Sequence, residues 1–486
     1  MPTPDVVAET DAGGRALRGG IARLIGYGIN SAATAAVSVM LLRHLGVADF
    51  GRYVSVVAIV AVVAAASDFG LTILGQQEYV LLDRDRRRTL LGELVGVRLA
   101  LAPIAIGAAA ALAGIAGYSA ALVGGAVIAS GQLFFTTTTA ALLVPLSAEL
   151  RLGAVATVET VRQLALVAAL AMLVLGGAGL TWLFAAYLPA GAAGLAASLV
   201  LLGKSGWPRL SMNLARWGTL LRRAAPIAAA TILNVVYLRG TVIVVSLFAT
   251  AHATGVFATS YRVTEVFLAI PMMLVGAAFP ILAHAGAVDE GRLVRAMQDL
   301  FEAALLASTM IAVALFAGAH PLIATLGGEP YADASGVLRI HAFVLVGAFG
   351  TQVWSLGLLA VGQRRALVAI NIVAGVVALA SAAVLVPRLG AKGGALASVA
   401  GETALALAAL VLLVRARPAL RPDLRRAGRI VLAAAGALSC SLLPLSSVTA
   451  TGIAVAVNIG LVVVLRAYSP GLVRALDPRR ARSLIA

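Results

Sequence analysis

The sequence predicts an all-α polytopic membrane protein of about 14 transmembrane helices, arranged as two repeat-related six-helix lobes plus a C-terminal helix pair. Three observations lead there. Hydrophobic residues fill 61% of the 486 positions and charged residues only 12%, a balance that a water-soluble globule would have to hide in an unreasonably large unbroken core. The mean hydropathy is +1.00, and the apolar residues gather into runs of the length, about 20 helical residues, that crosses a hydrocarbon layer of roughly 30 Å. The stretch from Tyr27 to Gly70 also recurs: one common offset carries Asn30 onto Asn234, Gly51 onto Gly255, Tyr53 onto Phe257 and Ser55 onto Thr259. Repeats of this kind frame a binding site between halves in many membrane carriers.

Taken in order, the predicted spans are 20–43, 52–75, 89–114, 119–146, 152–176 and 180–203, then 225–249, 255–282, 293–317, 337–361, 366–387 and 394–414, and last 430–446 and 450–466. Residues 1–17 form a tail whose opening has no apolar run behind a basic cluster, so no cleaved signal is expected and the first span is retained. Lobe 18–203 opens on a hairpin turned by Gly46, Asp49 and Gly51, with Asp68 near its far end. Residues 204–224 read as a cytoplasmic linker: Trp207, Leu210, Leu214, Trp217 and Leu221 mark an apolar face, and Arg209, Arg216, Arg222 and Arg223 a basic one. That pattern suits a helix lying in the membrane interface. Lobe 225–414 follows, with its longest outer loop between His320 and Gly336. A basic cytoplasmic loop, 415–429, leads to the pair 430–466 and a tail, 467–486.

The formal net charge is +16, but its distribution argues for a membrane and against nucleic acid. Arg43, Arg52, Arg339, Arg388 and Lys392 fall on outer loops, Arg98, Arg162, Arg239 and Arg262 fall within spans, and the large remainder lies in the tails and alternate loops. This asymmetry is the positive-inside pattern and places both termini in the cytoplasm. The clusters Arg84 to Arg88, 204–223 and Arg415 to Arg429 also suit contact with anionic lipid headgroups. The single cysteine, Cys440, rules out an intramolecular disulfide.

Ionisable residues within apolar spans are costly and face a bundle interior or a wet cavity. Arg239 lies about 20 Å along its helix from Pro226, close to the midplane and out of snorkelling reach. Glu159 with Arg162, and Arg262 with Glu265, stand three apart on one helix face. Each pair reads equally as a self-neutralising pair or as a gate that also binds charge. Asp68, Glu302 and Glu402 have no sequence-local partner and are candidates for gating or for a proton or sodium ion, or counter-ions to an arginine on a neighbouring helix. Asn30 and Asn234 suit either interhelical hydrogen bonds or a cavity wall. Gln132 and the run Thr136 to Thr139 are polar enough to line a cavity, although threonine in a helix also bonds its own backbone.

No enzyme signature is present. His44, His252, His284, His320 and His341 are scattered, without metal-ligand spacing, and no phosphate-cradling loop follows a strand. No loop is long enough to be a folded module, so function has to lie within the membrane. No cofactor is expected beyond a coupling proton or sodium ion.

The segment LLRHLGVADFGRYVSVVAIVAVVAAASDFGL resembles the first hairpin of bacterial polysaccharide flippases, in which an Arg-x-Leu-Gly turn, an aromatic residue before Gly and a later Asp-x-Gly-Leu recur. LGGEPYADASGVLRI resembles that family's outer loop before the tenth span, and VPRLGAKGGALASVAGE its connection from the eleventh span to the twelfth. The wider superfamily is that of the multidrug, oligosaccharidyl-lipid and polysaccharide exporters. The resemblance implies a V-shaped pair of lobes with alternating access. It implies a cargo of undecaprenyl-diphosphate-linked oligosaccharide, moved from the inner to the outer leaflet of the bacterial cytoplasmic membrane, with membrane lipid and a glycan polymerase or export machinery as partners. Arg98, Arg162, Arg239 and Arg262, with Asn30 and Asn234, would then serve the diphosphate and glycan, since guanidinium matches phosphate geometry. Fourteen spans also resemble the lipid II flippases. A drug/cation antiporter would call for a carboxylate-dominated cavity, and a membrane glycosyltransferase or glycan polymerase for catalytic side chains on a large loop.

Overall fold

Apolar runs in lipid can satisfy their backbone only within a helix or a closed barrel, and here the described parts of the predicted spans are mainly helix. The structure is a computed structural model that describes residues 12–203, 213–288, 290–440 and 447–468. In chain order its helices are α1 (Ala12–Asp68), α2 (Leu71–Leu81), α3 (Arg84–Ile115), α4 (Ala120–Ser130), α5 (Leu133–Ala148), α6 (Leu152–Leu175), α7 (Leu180–Leu183), α8 (Tyr187–Leu202) and α9 (Leu214–Phe248). There follow α10 (Ala251–Val288), α11 (Glu290–Ala317), α12 (Ala319–Gly327), α13 (Asp333–His341), α14 (Val344–Ala360), α15 (Arg364–Leu389), α16 (Ala391–Ala416), α17 (Leu424–Ser439) and α18 (Ser447–Val464). Among the described residues, 10 stretches are long and apolar enough to cross a membrane, and the first, Ala32–Leu81, holds both arms of the predicted hairpin. The helices α10, α17 and α18 carry the remaining predicted spans. The chain is a multi-pass membrane protein.

Several spans that read as continuous are broken. The first hairpin is one helical stretch kinked at Gly46, whose φ of 69° and ψ of 175° only glycine adopts readily. The second span stops at Phe69 and Gly70, both at positive φ, and restarts as α2. The fourth breaks at Gly131 and Gln132, and the tenth at Ala342 and Phe343. Equivalent breaks in the fourth and tenth spans accord with an internal duplication. So do Ser55 and Thr259, whose hydroxyls each donate to the carbonyl four residues back, at Gly51 and Gly255, over 2.8 Å in both cases.

The chain divides into two compact units, Met1–Ile243 and Val244–Ala486. The division falls beyond the linker expected at 204–224. Trp207, Arg209 and Leu210 lie outside the described residues, whereas 214–224 is the first part of α9, continuous with the seventh span. The physical reason is visible in the first unit. Trp217, Leu220 and Ala224 are buried in a core with Leu71, Leu90, Leu91 and Leu94. Arg216 reaches the 7% exposed Glu93 at 2.7 Å, and Arg223 reaches Glu78 at 2.6 Å. The basic face that suggested an interfacial helix is thus partly engaged by carboxylates of the same unit.

In the second unit the predicted outer loop 320–336 is largely helical, formed by α12, a 3-10 turn at Glu329–Tyr331 and the start of α13. The C-terminal pair packs on α11: Ala434, Ala437 and Ala454 meet Val313 and Ala317, while Ile430 and Ala467 meet Leu305. Arg426 reinforces this seat by donating to Glu302 at 2.8 Å, a carboxylate only 2% exposed. Replacing Arg426 by Ala leaves that carboxylate buried without its cation. A loss of about 1–3 kcal/mol is expected, read as earlier proteolysis within 415–424 and a lower melting temperature in detergent.

Candidate functional site

The first unit contains a cavity of about 540 Å3 walled by several of its helices. Part of the lining is apolar, with Val57, Val60, Ala61 and Ala64 from α1 and Leu133 and Leu143 from α5. The rest is mainly polar. Glu159 and Arg162 project together from α6, Gln132, Thr136 and Thr139 come from the break before α5 and its first turns, Tyr187 from the start of α8, and Arg239 from α9. Both expectations for the threonine run are met. Thr136, Thr137 and Thr138 each donate to the carbonyl four residues back, and Thr136 and Thr139 also line the cavity. The Thr139 hydroxyl is buried and makes no hydrogen bond among the described residues.

The position of each charged group has a local cause. Arg162 lies where α6 crosses α8 at Gly194: a Cβ built on Gly194 would sit 3.2 Å from the Cβ of Arg162 and 3.3 Å from its Cγ. A side chain at position 194 would press on the arginine stem, and the glycine leaves it room. Glu159 stands at 3.9 Å from the Arg162 guanidinium, an ion-pair distance beyond hydrogen bonding. Tyr187 is fixed by a 2.9 Å hydrogen bond between its hydroxyl and that of Tyr53, whose ring stacks on Phe184. Two guanidinium groups against one carboxylate leave the cavity with an excess positive charge. With much of the remaining lining apolar, that charge favours an anion.

The candidate residues separate into distinct places. Of the four intramembrane arginines, the structure brings Arg162 and Arg239 to this cavity. Arg98 lies apart from it, fully buried, with Nη2 donating to Asp68 at 2.6 Å and to Thr72 at 2.7 Å, and Nη1 donating to the Thr137 carbonyl at 3.0 Å. Asp68, which has no partner close in sequence, is thus held across helices by Arg98, as the counter-ion alternative expects. Arg262 belongs to the second unit, at 3.1 Å from Glu265, each one-quarter exposed. Glu302 is paired with Arg426, and Glu402 packs its Cβ against Gly347. Asn30 sits on α1 with its side-chain oxygen buried, and its carbonyl accepts from Thr34, which in turn accepts from Gln163 beside Arg162. Asn234 is exposed on α9. Tyr187 was not anticipated, because an aromatic residue at a span end reads as an interface anchor. Among the described residues no group of three His, Cys, Asp or Glu side chains could hold a metal ion.

A family model described as a polysaccharide biosynthesis protein matches residues 40–336. No curated protein matches the chain. Among solved structures, the lipid II flippase MurJ in an inward closed conformation is similar with a TM-score of 0.75 at 11% identity, covering 92% of this chain and 99% of that one. An inward-facing multidrug resistance MATE family transporter of the MOP superfamily gives 0.58 at 16% identity, over 82% of this chain and 98% of that one. A MOP superfamily transporter from Pyrococcus furiosus gives 0.55 at 15% identity, over 84% and 96%. At these identities the likeness is one of fold.

Proposed function

Because the chain belongs to the polysaccharide biosynthesis protein family, we propose that it is a flippase carrying an undecaprenyl-diphosphate-linked oligosaccharide from the inner to the outer leaflet of the bacterial cytoplasmic membrane. Both termini are cytoplasmic in this reading, as the basic loops require. The observation that carries it is the cavity of the first unit, where Arg162 and Arg239 face one space beside Gln132, Thr136 and Tyr187. A diphosphate does not cross hydrocarbon unaided, since stripping water from its charges costs many kcal/mol. Fixed guanidinium groups replace that water with charge-assisted hydrogen bonds, the hydroxyl and amide groups suit a sugar, and the prenyl chain stays in lipid.

Lipid II is the second reading, favoured by the similarity to a lipid II flippase over 99% of that chain. The two cargoes share the lipid diphosphate and differ in the glycan. An antiporter for cations fits less well, because arginines outnumber carboxylates in the cavity.

The test is complementation of a strain lacking its own polysaccharide flippase, scored as surface glycan at matched membrane expression. Wild type should restore glycan, Arg239→Ala should reduce it at least tenfold, and Arg239→Lys should retain part. Full activity of the alanine variant would remove Arg239 from the cargo path. Rescue of a lipid II flippase deletion instead would select the second cargo.

A further inference from the structure

Arg162 is unusual among the cavity's groups because its stem is seated and its donors are idle. Gly194 fixes the stem, with approaches of 3.2, 3.3 and 3.4 Å from the glycine's Cβ position to Cβ, Cγ and Cδ of Arg162. Yet the guanidinium, 31% exposed, forms no hydrogen bond to any described residue, and its one ionic contact is Glu159 at 3.9 Å. Glu159 is 51% exposed, and its carboxylate has no other charged partner among the described residues. A carboxylate so placed is close enough to neutralise the cation and too loosely held to keep it. The remaining charged and titratable groups that face it across the cavity are Arg239 and Tyr187, and Tyr187 is tied to Tyr53.

We propose that Glu159 is a resident counter-anion that occupies Arg162 in the empty cavity, yields it to the incoming diphosphate and reclaims it as the headgroup leaves. This rests on the flippase reading and adds a release step to it. A carrier that held its cargo on Arg162 with no competing anion would bind more tightly and turn over more slowly, whereas a competing anion on the same helix face lowers affinity and speeds release. Glu159 is then a specificity-determining residue acting through Arg162, and no covalent step is involved.

The experiment measures binding of farnesyl diphosphate, and separately of inorganic pyrophosphate, to the purified full-length chain in lipid nanodiscs. The proteins are wild type, Glu159→Gln, Arg162→Ala and the double variant, with melting curves confirming the fold. Glu159→Gln should tighten farnesyl diphosphate about three- to tenfold, the range expected for a loosely held charge pair, while slowing glycan export in cells. In the Arg162→Ala background the same change should have no effect on binding, because the two residues act as one unit. An unchanged or weaker Kd in Glu159→Gln, or equal tightening without Arg162, would overturn the proposal and leave the flippase reading intact. Failure of wild type and of every variant to bind the lipid diphosphate would overturn both. A response seen with pyrophosphate alone would assign the site to a soluble anion and would likewise overturn both.

Discussion

Asp68→Ala is expected to lower stability by about 3–5 kcal/mol, the range for removing one partner of a buried ion pair. Arg98 is fully buried and holds its charge against Asp68, with Thr72 and the Thr137 carbonyl taking further donors. Its Nε already lacks a partner, so nothing is in reserve when the carboxylate goes. The loss should appear as a fall in melting temperature of the detergent-solubilised protein and as poor membrane yield. The decisive comparison is the double variant Asp68→Ala with Arg98→Met, which removes both charges and keeps much of the volume. It should recover most of the stability, since well-packed apolar replacements of buried pairs are often neutral or better. If Asp68→Ala melts like wild type, the pair contributes nothing, and Asp68 becomes a candidate for coupling instead.

Gly70→Ala should cost about 2–4 kcal/mol, from two sources that a control separates. Gly70 has φ of 70°, a conformation that costs an L-residue roughly 1–2 kcal/mol. A Cβ there would also lie 2.8 Å from the backbone nitrogen of Ala228 and 2.9 Å from Cβ of Ile227, an overpacking that costs about 1–3 kcal/mol. Gly117 has φ of 73° with open space around it, so Gly117→Ala should show only the conformational part. The measurement is the difference between the two melting temperatures. Equal losses would mean that α9 shifts away from Gly70 at no cost.

Much of this fold was legible in the sequence because hydropathy acts locally. An apolar run of membrane length satisfies its backbone locally within a helix, so the spans and the matching settings of Ser55 and Thr259 could be read directly. Pairings across helices could not. Asp68 and Arg98 are 30 residues apart, and Glu302 and Arg426 are 124 apart, while only partners three or four apart declare themselves on one helix. Which of Arg98, Arg162, Arg239 and Arg262 share a space therefore could not be read, and packing sends them to three different environments. The breaks at Gly131 and Ala342 were hidden for a related reason: hydropathy does not change where a helix restarts inside the membrane. The engagement of the linker's basic face was not legible, because the carboxylates that meet Arg216 and Arg223 lie on α3 and α2.

The continuity of α9 ties these places together mechanically. Arg216 and Arg223 fasten its first turns to Glu93 and Glu78, and Arg239 reaches the cavity about 24 Å beyond Arg223 along the axis. A helix is stiff along its axis, and α9 has one compliant joint, at Pro226, where a backbone hydrogen bond is missing. Ile227 and Ala228, just beyond it, bear directly on Gly70. The clamped basic face, the turn that follows Asp68 and the cavity thus share one helix. A substitution at any of these three places acts on an element that the other two also hold.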